Sequence, residues 1–154
     1  MNEKFLILER NVQSDLAVIE RIYSELGEAE LAGSDGQRAL IVVGYRLHSL
    51  YSAFENIFRN IATTFENHLD PSSWHRQLLG RMRLDLSPVR PAVIDEEAFE
   101  KLDELLRFRL LFRTGYGLRF DAPRLQLVVR KALELKPIYQ GQIDRFLEHL
   151  RGLE

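Results

Sequence analysis

The sequence predicts an all-α fold, an up-and-down antiparallel bundle of roughly four to six helices forming a single domain over residues 1–154. Three observations carry this. Apolar residues recur at a three-four spacing along almost the whole chain, and no stretch alternates with period two. The helix-breaking residues gather at a few points: Gly33–Gly36, Asp70-Pro71, Ser87-Pro88 with Arg90-Pro91, and Gly115 with Gly117.

The elements follow in order. Leu8, Val12, Leu16, Ile19, Ile22, Tyr23 and Leu26 predict a first helix over residues 3–31. Ser34-Asp35-Gly36-Gln37 has the S-x-x-Q form of a capping box, opening a second helix. Leu40, Val43, Leu47, Leu50, Tyr51, Phe54, Ile57, Phe58, Ile61 and Phe65 carry that helix to about residue 68, a length of roughly 50 Å. Two long helices joined by a short turn pack as an antiparallel hairpin. A third helix is expected over 73–84, with Trp74, Leu78 and Met82 inward. Ser87-Pro88 and Arg90-Pro91 predict an extended connection over 85–94. Asp95 is suited to cap a fourth helix running to residue 113, with Glu96 and Glu97 favouring the positive end of its dipole and Phe99, Leu102, Leu105, Leu106 and Phe112 inward. A fifth begins near Asp121-Ala122-Pro123, is interrupted at Pro137, and is followed by a final helical set over 138–151.

Composition narrows the functional classes. A content of 45% hydrophobic and 29% charged residues is ordinary for a soluble globular protein, and no apolar run approaches the length of a membrane span. The absence of cysteine excludes disulfides and thiolate metal sites, and with an N-terminus unlike a signal peptide it fits a cytoplasmic protein. The net charge of −2 hides an asymmetry. Residues 1–75 carry 6 basic and 11 acidic side chains, whereas residues 105–131 carry seven basic side chains against Asp121 alone. Of the 21 basic residues 17 are arginine, whose planar fork suits phosphate pairing; the plainer reading is a solvated helix surface. Arg109, Arg113 and Tyr116 stand at i, i+4 and i+7, one face of a helix end, where two guanidiniums beside a phenol can hold a phosphate. Thr114, five residues after Arg109, joins that face only where the helix unwinds near Gly115.

The stretch from Arg107 to Gly117 resembles the signature of the HEPN superfamily, and within it the HepT-like ribonuclease toxins. In that family an arginine, four residues, a histidine, one residue and a tyrosine form the RNA-cleaving site. Arg109 and Tyr116 occupy the matching positions, and Thr114 stands where the histidine belongs. Gly44-Tyr45-Arg46-Leu47-His48 with Phe54-Glu55-Asn56-Ile57-Phe58 is similar to the family's second helix, and Ser73-Trp74-His75-Arg76-Gln77-Leu78-Leu79 to its third. The resemblance implies a HEPN-like bundle that homodimerises across a shared cleft. It implies RNA as the partner, metal-independent cleavage, no cofactor, and a toxin neutralised by an MNT-type nucleotidyltransferase antitoxin, which in some pairs adenylylates the signature tyrosine, here Tyr116.

Thr114 alters what is expected of this site. Removing the 2′-OH proton needs a base that titrates near working pH, which imidazole is and a threonine hydroxyl is not. Arg109 retains the role of stabilising the phosphorane. Leu110 departs as well, where the family often carries a polar residue. These changes imply a degenerate site with weak or no cleavage. The competing enzyme reading supplies the base from elsewhere, with His75 beside Trp74 the foremost candidate, because a nucleobase can stack on the indole. Arg107, Arg113, Trp74 and His75 are the expected RNA or phosphate contacts. His48 is expected to be a satisfied, semi-buried histidine, and His68 and His149 to serve helix dipoles. Glu55 either orients Arg109 through a buried ion pair or is solvated. The alternative function is a non-catalytic helical module that binds RNA, a nucleotide or a nucleotidyltransferase. A plainer one is an interaction module with no nucleic-acid role.

Overall fold

The computed structural model describes residues 2–27, 36–66, 74–114 and 121–153, with side chains at 27 and 114 outside the description. The described residues form five helices: α1 (Glu3–Gly27), α2 (Gln37–Phe65), α3 (Trp74–Met82), α4 (Glu96–Thr114) and α5 (Ala122–Arg151). No helix among them is long and apolar enough to cross a membrane.

Helix α2 is the axle of the bundle, since it packs against each of the other four. Its pairings with α1 run Phe65 to Phe5, Asn56 to Asp15 and Arg46 to Glu25, so one number falls as the other rises and the two are antiparallel. Ser52 to Arg109 and His48 to Phe112 set α4 antiparallel to α2 in the same way. Phe54 to Tyr139 and Phe65 to Phe146 set α5 parallel to α2. The expected up-and-down order therefore holds, with short α3 inserted before α4. The core is an aromatic and aliphatic column in which Val12, Ile19, Leu47, Phe54, Phe58, Leu102, Leu105 and Leu135 are fully enclosed. Tyr23 donates a 2.7 Å hydrogen bond to the carbonyl of Ala132, tying α1 to α5, and burial pushes its pKa upward.

Several expectations need correcting. Helix α2 starts at Gln37 with Gly36 at its N-cap in left-handed backbone (φ 68°), and no side chain caps it. Glutamine is therefore at the first helical position, not the third, and the capping-box arrangement is not formed; Ser34 and Asp35 lie outside the described residues. The connection over 85–94 is not extended. Leu86 and Arg90 close a tight turn around the cis Ser87–Pro88 peptide, and the amides of Val93 and Ile94 return to the carbonyl of Met82. Buried Arg90 causes this: it reaches Glu66 and the carbonyls of Arg81, Leu84 and Pro91, so the turn wraps round its guanidinium. Pro137 does not interrupt α5, which is continuous from Ala122 to Arg151. Pro137 and Leu133, whose carbonyl would have received the missing amide proton, are both exposed, so water replaces that bond. Buried Leu135 and Tyr139 hold the helix on either side. The cap predicted at Asp95 is present, its Oδ1 accepting the Ala98 amide at 2.9 Å, which holds that carboxyl below the usual range.

Candidate functional site between α2 and α4

Helix α2 carries His48, Tyr51, Ser52 and Glu55 at i, i+3, i+4 and i+7, hence on one side. The C-terminal half of α4 packs opposite. It comes close because Gly44 has no side chain: a Cβ there would stand 3.1 Å from Phe112 Cε2 and 3.3 Å from Phe108 Cζ. Phe108 is buried, Phe112 and Leu110 lie partly buried against the core, and this register turns Arg109 toward α2. Leu110 thus has a packing role where a polar residue is common in the resembled family.

Arg109 is half-buried, and its Nε donates to Ser52 Oγ at 3.1 Å. Among the described residues its Nη1 is enclosed without a hydrogen-bond partner, as are His48 Nδ1 and the Tyr51 hydroxyl, although the latter is close enough to Glu55 to feel its carboxylate. These three groups converge on one short stretch of the α2–α4 seam. An enclosed polar atom left unpaired costs about 1–3 kcal/mol, so this stretch of the seam is costly as it stands. Burial pushes the Tyr51 phenol up; adjacent Glu55 adds to the rise and Arg109 opposes it. His48 rests edge-on against Phe112, with ring centroids 5.6 Å apart. Its pKa is lowered by burial first and by the charges of Arg109 and Arg113 next. Semi-buried, as expected, His48 meets rings and cations from α4, and its Nδ1 finds no hydrogen-bond partner among the described residues.

Glu55 matches neither of its expected roles. It is 2% exposed and takes the His75 Nδ1 hydrogen bond at 2.8 Å, with Arg59 4.0 Å away on its own helix. Paired with a carboxylate oxygen, Nδ1 is the donor of this bond, which leaves Nε2 for other partners. Trp74 packs on His75 with centroids 3.9 Å apart, and the Arg59 guanidinium lies 5.0 Å from the indole. The indole offered to a nucleobase in the sequence reading is thus already engaged by two side chains of this protein.

The arginines on α4 divide. Arg107 is mostly exposed and pairs with Asp103 at 2.9 Å; Arg113 is exposed near the helix end and acts electrostatically on His48. The α4 backbone stays helical through Thr114, which leaves position 114 about 140° round from Arg109, off its face. Tyr116, Gly115, Gly117, Arg119 and His68 lie outside the described residues. Helix α5 runs antiparallel to α4, so exposed Arg124 in its first turn is carried at the same end as Arg113. His149 sits exposed in the last turn of α5, as expected of a dipole partner. Sequence reasoning missed Ser52, and it placed Tyr51 inward, where it lies, without a role in the site. The signal available was the stripe of His48, Tyr51, Ser52 and Glu55 recurring every three to four residues along α2.

A family model described as HepT-like protein matches residues 42–150, which include every side chain of this seam. No curated protein and no solved structure matches the chain.

Proposed function

The chain belongs to the HepT-like family, and on that premise we propose that it is a toxin-family protein directed at RNA, which holds a phosphodiester at Arg109 and cleaves it weakly or not at all through the signature position. The observation that carries this reading is the state of Arg109. Ser52 fixes the guanidinium at Nε, and the enclosed Nη1 has no partner among the described residues. A pre-oriented fork with one arm unpaired is suited to a phosphate oxygen, which forms a stronger, charge-assisted bond. Arg113 and Arg124 at the same end extend the positive field along a nucleic-acid backbone. Thr114 supplies neither a base nor an acid near neutral pH, which removes a contribution of about 10²–10⁴ in rate from that position.

The reading includes a homodimer and an MNT-type nucleotidyltransferase partner that acts on Tyr116. Exposed Ile41, Val42, Tyr45 and Leu111 supply an apolar face beside the seam that suits a second copy. The test is fluorescence anisotropy with a short labelled single-stranded RNA across a salt series. Arg109→Ala is expected to weaken binding about tenfold, the equivalent of one charge-assisted hydrogen bond, and to flatten the salt dependence. Equal affinities and slopes for the two proteins would overturn the reading.

A further inference from the structure

We infer that Glu55 and His75 form the proton-accepting dyad of this site, with His75 the catalytic base for slow RNA cleavage and Glu55 its positioning residue. The inference rests on the reading of Arg109 as the phosphate holder.

Four observations support it. The His75 Nδ1–Glu55 Oε2 bond of 2.8 Å occupies Nδ1 and leaves Nε2 on the side of the ring away from Glu55, the arrangement a base needs. Glu55 is enclosed, so its orientation is imposed by packing, while His75 keeps 22% of its side chain exposed and can meet a substrate. Trp74 packed on one side of the imidazole removes its rotational freedom. Finally, Glu55 lies three residues past Ser52, about 4.5 Å along the axis of α2, and Ser52 holds Arg109. The Tyr51 phenol feels both Glu55 and Arg109, which sets the carboxylate and the guanidinium near one another. Arg109 and His75 thus meet α2 less than one turn apart, at Ser52 and Glu55, and a phosphate held by the guanidinium would bring its neighbouring ribose hydroxyl toward the imidazole.

The step balances without a cofactor. His75 Nε2 takes the proton of the ribose 2′-hydroxyl as that oxygen bonds to the adjacent phosphorus. The bond from phosphorus to the 5′-oxygen breaks, and the departing oxygen takes a proton from water. Arg109 neutralises the charge gathering on the phosphoryl oxygens meanwhile. The products are a 2′,3′-cyclic phosphate and a 5′-hydroxyl.

The experiment follows cleavage of a short single-stranded RNA by mass spectrometry, with anisotropy on the same samples and a 2′-deoxy oligonucleotide as control. Wild type is expected to release the cyclic phosphate slowly and to leave the 2′-deoxy control intact. His75→Ala is expected to lower turnover about 10²–10⁴-fold, with partial recovery in added imidazole. His75→Asn keeps a donor for Glu55 and should lose the same turnover while its remaining RNA binding still depends on Arg109. Glu55→Gln should lower kcat by at least about tenfold with KM unchanged, which a merely structural role would not do. RNA that binds in an Arg109-dependent way but yields no cyclic phosphate overturns the dyad and leaves the binding reading standing. So does cleavage unchanged in His75→Asn. Failure to bind RNA at all overturns both.

Discussion

His48 shows what one residue gains and loses from its neighbours. Burial and the two arginines of α4 all favour the neutral imidazole, so its folded pKa lies below the ordinary value of about 6.5. The folded state then binds fewer protons than the unfolded chain. Stability is accordingly complete above that ordinary value and is lost as pH falls through it toward the folded pKa. Urea unfolding measured from neutral to mildly acidic pH should show this loss, and His48→Gln should flatten it; a profile identical in the two proteins would exclude His48 as a source. In an NMR titration, Arg109→Ala should move the His48 pKa upward, because one of its repelling charges has gone. A second prediction concerns Ser52. Removing its hydroxyl frees Arg109 Nε, so Ser52→Ala should weaken RNA binding by about two- to tenfold, the worth of one neutral hydrogen bond. Arg109 was legible in the sequence because the signature spacing marks it. Its Ser52 contact was not, since the two are 57 residues apart and nothing local to either announces the other.

Among the elements, helix existence and order were legible and boundaries were shaped by contacts between distant residues. The turn after α3 is the plainest case. Its prolines predict an extended strand of chain, yet a wholly enclosed Arg90 gathers the turn around itself and pairs with Glu66 at the end of α2. Local propensity carries no trace of such a partner. Arg90→Ala would strand the Glu66 carboxylate beside Arg81 alone, and the loss of one partner of a buried pair costs about 3–5 kcal/mol. Chemical denaturation should report that loss. A methionine of similar length in place of Arg90, combined with Glu66→Gln, should recover part of it, because the penalty arises from an uncompensated charge rather than lost volume. Gly44 acts at the level of the α2–α4 pair. Gly44→Val would drive methyl groups into the Phe108 and Phe112 rings, and overpacking of this kind costs about 1–3 kcal/mol. Because the same rings set the register of Arg109, RNA affinity should fall with stability, whereas Arg109→Ala should lower affinity alone.

At the scale of the whole molecule, the antiparallel order follows from long amphipathic helices and short connections, but one face is ambiguous in the sequence. Ala39-Leu40-Ile41-Val42-Val43 is apolar on every side of α2, and periodicity alone does not separate core from surface there. The fold separates them: Leu40 and Val43 turn inward, while Ile41, Val42 and the 63% exposed Tyr45 face outward, with exposed Leu111 on the adjoining helix. Exposed apolar side chains clustered next to a cationic seam are costly to leave in water, and covering them with a second copy would place two Arg109 seams at one shared edge. Charge introduced into this face should therefore act on assembly. Tyr45→Glu with Leu111→Glu is expected to convert a dimer to a monomer in light scattering, leaving the thermal unfolding of each subunit almost unchanged because neither side chain belongs to the core. If the two seams engage one RNA together, the monomer should also bind more weakly than either substitution's distance from Arg109 suggests, since the second contact gains from an effective concentration that a lone subunit lacks. A variant that remains dimeric in solution would assign the interface to another face, and an unchanged RNA affinity in a true monomer would show that each seam works alone.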